Sequence, residues 1–202
     1  MLIDSHCHLD DEKLAFEIPA VLERAREAGV TRLVTIGTDE VSSRAAFDIA
    51  SRYPGVVFHT VGAHPTEADR LDDSRILEVE RLARETHPVA IGEIGLDYHH
   101  DSSKPNQFRL FERMLTLARS LALPVVIHDR DAHEDIYRFL KERAVGMKVM
   151  LHCYSAGMEY VERFLQLECF FSFAGPLTFK NGQSHRDVLK VIPLDRLVVE
   201  TD

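Results

Sequence analysis

Short apolar runs alternate with segments of helical period along the whole chain. Eight runs rich in Val, Ile, Leu and Phe fall at 2–8, 32–37, 56–62, 88–95, 124–128, 148–152, 169–174 and 196–202. Continuous apolar runs of this length mark strands buried on both faces. Between them, apolar positions recur three and four apart. The clearest case is 106–122, where Phe108, Phe111, Leu115 and Ala118, joined by Leu110, Met114, Leu117 and Leu121, make one broad apolar face. Pro105 suits a first helical turn and Pro124 a stop. Further helices are predicted at 18–28, 41–52, 74–86, 131–143, 157–167 and 184–191.

Eight strands alternating with helices have two main solutions, a closed (β/α)8 TIM barrel or an open doubly wound sheet. No glycine-rich phosphate loop follows any of the runs, which removes the main support for a nucleotide-binding open sheet. The expected fold is therefore α/β, a TIM barrel, with one domain over 1–202 and no linker. Strand eight runs to Asp202 without a following helix. The outer faces of strands eight and one, around Ile3, Val198 and Val199, are then expected to face water. On this reading the barrel lacks its last helix, is C-terminally incomplete, and should be marginally stable and bind metal poorly.

Composition changes the picture in two places. The 202 residues carry 24 Lys+Arg against 33 Asp+Glu, a formal net charge of −9. That balance argues against sequence-independent wrapping of duplex nucleic acid, which needs a basic footprint. It leaves room for a nuclease whose bound metal ions supply the positive charge. The three cysteines, Cys7, Cys153 and Cys169, form no CxxC pair, so a disulfide framework or zinc knuckle is not expected and a reducing, cytoplasmic compartment is. The N-terminus does not read as a signal peptide, and no apolar run approaches the roughly 20 residues that span a bilayer. No membrane association and no protein partner is expected.

The 11 histidines matter for where they fall. Active sites of parallel barrels lie at the C-terminal strand ends. Those ends carry His6 and His8, then His64, Glu93, His128, His152 and Asp202. Strand alternation points Asp4, His6 and His8 to one face and turns Cys7 away, with Cys153 likewise turned from His152, so both cysteines read as packing residues. A carboxylate inside the apolar run around Glu93 is costly unless it is paired or metal-bound. Taken singly, each histidine also fits a hydrogen-bonded role at a core edge. Four histidines and two carboxylates converging on one barrel mouth point instead to divalent cations. They exceed the needs of one tetrahedral ion, which favours two ions sharing a carboxylate. Zinc, manganese, nickel, cobalt and magnesium all remain open.

The segments Asp4-Ser5-His6-Cys7-His8-Leu9-Asp10, Val61-Gly62-Ala63-His64-Pro65, Gly92-Glu93-Ile94-Gly95-Leu96-Asp97-Tyr98, Val126-Ile127-His128-Asp129-Arg130, Leu151-His152-Cys153-Tyr154-Ser155 and Glu200-Thr201-Asp202 resemble the signatures of TatD-type deoxyribonucleases, in order and along the whole chain. The resemblance implies a metal-dependent hydrolase of the amidohydrolase-like barrel superfamily that cleaves DNA from its ends. It implies His6, His8, Glu93, His128, His152 and Asp202 as metal ligands, with Glu93 bridging. Asp202 is placed to orient the attacking water and accept its proton. His64, extra to the ligand set, reads as a phosphate donor or leaving-group acid, or as a structural turn histidine before Pro65. Arg130 could contact phosphate, or pair with Asp129 or Asp131. Tyr98, His99, Tyr154 and Lys180 are rim candidates for contact with a nucleotide. The alternative is a barrel amidohydrolase, esterase or deacylase acting on a substrate such as aminoacyl-tRNA. Its usual bridging group, a carboxylated Lys at the end of strand four, has no counterpart here, since that strand carries Glu93. A non-catalytic barrel is disfavoured because unused buried carboxylates and imidazoles destabilise a fold.

Overall fold

The computed structural model describes Met1–Asp202. Eight parallel strands run in sequence order around a nearly closed barrel: β1 (Leu2–Cys7), β2 (Val30–Thr35), β3 (Val57–Val61), β4 (Ala90–Asp97), β5 (Val125–Arg130), β6 (Val149–Leu151), β7 (Phe170–Phe173) and β8 (Leu197–Val199). Seven helices connect them: α1 (Ile18–Glu27), α2 (Glu40–Arg52), α3 (Asp73–Thr86), α4 (Lys104–Leu121), α5 (His133–Arg143), α6 (Met158–Gln166) and α7 (Gln183–Leu189). No helix is long and apolar enough to cross a membrane.

Local chemistry starts and stops these helices where the pattern places them. Asp39 accepts from the Ser42 backbone N–H at 2.8 Å while the Ser42 hydroxyl accepts from the Asp39 N–H at 2.9 Å, a reciprocal capping box that opens α2. Pro105 lies in the first turn of α4, and the helix ends at Ala122 in a left-handed conformation whose N–H returns to Ala118 and Arg119. The buried face of α4 carries Leu110, Phe111, Met114, Leu115, Leu117 and Ala118.

The core has two parts. The larger joins the sheet from β3 to β7 with α3–α6, through Phe111, Phe164, Phe171 and Ile94 among others. A smaller one lies beneath α1 and α2 and contains Cys7, Leu9, Ile18, Leu33, Ile49, Ala50 and Val57. Cys7 therefore packs outward from β1, as alternation requires.

The seam between β8 and β1 has no strand ladder and is closed by polar side chains instead. Thr201 gives its backbone N–H (3.1 Å) and its hydroxyl (2.6 Å) to the buried Asp4 carboxylate, and Ser5 gives its hydroxyl to the Val199 carbonyl at 3.0 Å. Asp202 N–H reaches the His6 carbonyl at 2.9 Å. On the outside of this seam Leu2, Ile3 and Val199 are exposed.

Four strand ends differ from the apolar pattern, and polar bonds explain them. β4 and β5 run on to Asp97 and Arg130, paired in register, because the buried Asp97 finds polar partners. β6 and β8 stop before His152 and Glu200, where the backbone turns to serve the site: Cys153 N–H bonds the Glu200 carboxylate at 2.6 Å.

Candidate metal centre

Side chains facing inward at the C-terminal mouth come from six strands or the residues just past them. His6 lies on β1 and is fully buried; His8, two residues on, is half-buried just beyond it. Glu93 sits midway along β4, a strand buried over its whole length. Its position depends on close backbone approach. Gly95 has φ +145, and a Cβ there would strike the His128 carbonyl oxygen; one at Gly92 would meet Val126. Only glycine lets β4 lie this near β5 and bring Glu93 to His128.

Glu93 is the hub of the cluster. Its Oε2 lies 3.4 Å from His6 Nε2, while its Oε1 lies 2.7 Å from His128 Nδ1, 2.9 Å from His152 Nε2 and 3.4 Å from His64 Nε2. Asp202 Oδ1 stands 3.5 Å from His6 Nε2 and 3.8 Å from His8 Nε2. The ring nitrogens crowd one another: His6 and His8 Nε2 are 3.2 Å apart, His152 Nε2 and His128 Nδ1 3.4 Å, and the His6 and His152 rings stack at 4.0 Å. Three groups have donor atoms within 4.8 Å of one another: His6/His8/Glu93, His6/His152/Asp202 and His64/Glu93/His128.

Electrostatics follow from this crowding. Burial alone would raise the Glu93 carboxyl, but His152, His128 and His6 around it hold it well below the usual carboxylate range. Burial opposes charge on His152 and His128 too, yet Glu93 and their second carboxylates keep both raised. His8 goes the other way, lowered by burial and by neighbouring His6. A cage that concentrates lone pairs and negative charge this way, in a dry pocket, is one that divalent ions fit, since they replace the protons the cage would otherwise hold.

The open pocket above has a volume of about 760 Å³. Its walls carry Asp39, Glu67 and Asp129 besides the cluster, against only Arg70 and Arg130 as cations. An anionic substrate enters so acidic a pocket only with bound cations to screen it.

The candidates named from sequence fall into two sets. His6, His8, His64, Glu93, His128, His152 and Asp202 all converge, and Arg130 lines the pocket at its rim with no ion-pair partner. Asp129 and Asp131, which could have paired with Arg130, are met by His133 and His99 instead. The expected rim aromatics do not converge. Tyr98 gives its hydroxyl to Asp135 at 2.6 Å, lies under Lys104, and is packed against the core outside the pocket. Tyr154 is buried among Phe164, Phe171 and Phe173, and His99 and Lys180 lie off the pocket wall. Cys153 departs from expectation in the opposite sense. The chain leaves β6 before it, takes φ +42, and so turns Cys153 into the pocket beside Asp202.

Three further residues carry polar work the sequence reading did not assign. Asp97 is buried with Oδ2 at 2.9 Å from His128 Nε2, His100 lines the pocket at 3.0 Å from that same oxygen, and Glu200 lies 3.4 Å from His152 Nδ1. A signal existed: Asp97 is four residues from Glu93 on one strand, and Glu200 is two residues from Asp202, spacings that return to the same face.

Comparison with known proteins agrees with this geometry. The profile of the family described as TatD related DNase matches residues 3–202. A Bacillus subtilis protein named as the uncharacterized metal-dependent hydrolase YabD is 36% identical over 204 residues, covering 100% of this chain and 80% of its own length. A protein of Erwinia tasmaniensis named 3'-5' ssDNA/RNA exonuclease TatD is 34% identical, covering 100% of this chain and 79% of its own. The crystal structure of YjjV, a TatD homologue from Escherichia coli K12, superposes with a TM-score of 0.93 at 30% identity, covering 100% of this chain and 78% of that one. With matching profile, relatives and barrel, and with the histidine and carboxylate cluster at its mouth, the chain belongs to the TatD related DNase family of metal-dependent hydrolases.

Proposed function

We propose that this protein hydrolyses phosphodiester bonds at the ends of single-stranded DNA, using two divalent cations held by His6, His8, Glu93, His128, His152 and Asp202. The observation that carries this reading is the division of labour at Glu93: one oxygen faces His6, the other faces His128 and His152, as a shared carboxylate between two ions would. Two bound ions supply the charge that neutralises a phosphodiester and the acidity that makes water a nucleophile at neutral pH. Nitrogen and oxygen donors in this mixture suit zinc, manganese, nickel or cobalt, and magnesium with fewer protein ligands. The name of the Erwinia tasmaniensis relative supports a single-stranded nucleic acid as substrate. Three free cysteines support a reducing, cytoplasmic setting.

The chain's own groups complete the site. Asp202, partly exposed at the pocket floor, orients the attacking water and accepts its proton. Thr66 holds His64 Nδ1 through its hydroxyl at 2.6 Å and its backbone N–H at 3.2 Å, which leaves Nε2 aimed into the site to serve phosphate or leaving group as a donor. Arg130, unpaired on the rim, holds a neighbouring phosphate.

The test is chelation followed by metal reconstitution, assayed on end-labelled single-stranded DNA and RNA beside a panel of small esters, amides and an aminoacyl ester. Loss on chelation and recovery on DNA ends support the reading, whereas turnover confined to the ester and amide panel overturns it. Glu93→Gln should fold but retain one ion, because a neutral amide bridges poorly. Two ions held tightly by that variant would remove the bridging role.

A further inference from the structure

His128 differs from the other imidazoles of the cluster in having a carboxylate oxygen at full hydrogen-bond length on each ring nitrogen. Nδ1 lies 2.7 Å from Glu93 Oε1 and Nε2 lies 2.9 Å from Asp97 Oδ2. His6 Nδ1 is buried without a partner, and His152 Nδ1 stands 3.4 Å from Glu200, too far for a good bond.

Asp97 is built to be a fixed acceptor. It is fully buried, and its Oδ1 accepts the backbone N–H groups of His99 and His100, each at 2.9 Å. Its main chain is clamped from α4: Asp97 N–H gives to Gln107 Oε1 at 2.8 Å, and Gln107 Nε2 returns a bond to the Asp97 carbonyl at 2.7 Å. Gln107 is itself fully buried, so this clamp cannot be exchanged for water. With Oδ1 filled by two backbone donors, Oδ2 is left as the acceptor for His128 Nε2–H, so the proton a divalent ion displaces is the one shared with Glu93, and the lone pair it meets is that of Nδ1.

We infer that Asp97 is a positioning residue that locks His128 in its Nε2–H tautomer and thereby makes Nδ1 the atom offered to metal. The inference rests on the proposed role of His128 as a ligand. It also explains how two histidines against the same Glu93 oxygen acquire different roles. Asp97 holds His128 by Nε2 and turns Nδ1 towards Glu93, whereas Thr66 holds His64 by Nδ1 and turns Nε2 there. Carboxylate partners of metal-bound imidazoles generally act this way, fixing orientation and raising ligand basicity.

The experiment uses the whole chain loaded with zinc, and long-range proton–nitrogen NMR of the imidazoles, with His128 assigned by its loss in His128→Gln. The expected spectrum has a proton on His128 Nε2 and zinc on Nδ1; a proton on Nδ1 overturns the inference. Asp97→Asn can present an amide donor to Nε2 and so favours the wrong tautomer. It should weaken one of the two zinc ions about 10- to 100-fold in competition titrations and leave the other unchanged. Unchanged affinity for both ions in a folded Asp97→Asn protein also overturns it. If Asp97→Asn does not fold, the wild-type tautomer decides alone. Failure of the underlying reading looks different: His128→Gln then keeps both ions at full affinity, and the inference falls with the ligand assignment.

Discussion

At the scale of single residues, protonation state separates holding a metal from touching a substrate. His64 is within reach of Glu93 and belongs by distance to a candidate metal group, yet its Nδ1 is engaged by the Thr66 hydroxyl and backbone N–H. We expect His64→Ala to lower kcat by about 100-fold or more, the usual scale for a proton donor, while metal content per chain stays unchanged. Metal analysis beside steady-state kinetics checks this, and loss of an ion would make His64 a ligand. The residues of the cluster were legible in sequence because imidazoles and carboxylates at the ends of apolar runs are chemically out of place. Asp97, His100 and Glu200 were not singled out, because their work depends on which ring nitrogen each approaches. The placement of Tyr98 and Tyr154 was hidden for the same reason. Adjacency to a motif places a residue near a site, but whether an aromatic ring turns to solvent or to core depends on neighbours far away in the chain, here Asp135 for Tyr98 and Phe171 for Tyr154.

At the scale of elements, periodicity located all seven helices to within about two residues, because caps and prolines are local chemistry. The α2 capping box can be tested directly. Asp39→Ala removes one side of it and should cost about 1 kcal/mol. In a chain of this size that lowers the melting temperature by about 2–4 °C. Calorimetry of the metal-free protein checks this, and an unchanged melting temperature would show that the cap contributes nothing. Strands were harder. Apolar runs mark the buried middle of a strand but not its polar end, so the extension of β4 to Asp97 and the early stop of β6 became visible only with the Gln107 clamp and the turn at Cys153.

At the scale of the whole molecule, a histidine away from the metal centre links folding to pH. His59, on β3, is buried against Phe47 with Nε2 at 3.0 Å from Thr86 Oγ1, and burial lowers its pKa from 6.5 to about 4. The unfolded chain therefore binds a proton between those values that the folded chain refuses. Stability from this group is full above about pH 6.5 and is lost as pH falls towards 4, by at most about 3 kcal/mol. His59→Gln keeps a polar partner for Thr86 without titrating. Denaturant midpoints of the metal-free proteins at pH 7.5 and 4.5 should differ less in the variant than in the wild type; equal differences would clear His59 of this role.

The sequence by itself determined the barrel, its alternation of strands and helices, and the set of histidines and carboxylates at its mouth. Those features rest on local rules: burial on two faces, helical period, caps, and the cost of a charge placed in an apolar run. Tertiary structure alone decided how β8 meets β1 through Asp4 and Thr201, which oxygen of Glu93 faces which histidine, what each ring nitrogen of His64 and of His128 faces, and that Cys153 turns inward. Each of these depends on atoms brought within about 3–4 Å from strands far apart in sequence. Hydrogen-bond direction and lone-pair placement are properties of such pairs, and no pattern along one strand encodes them.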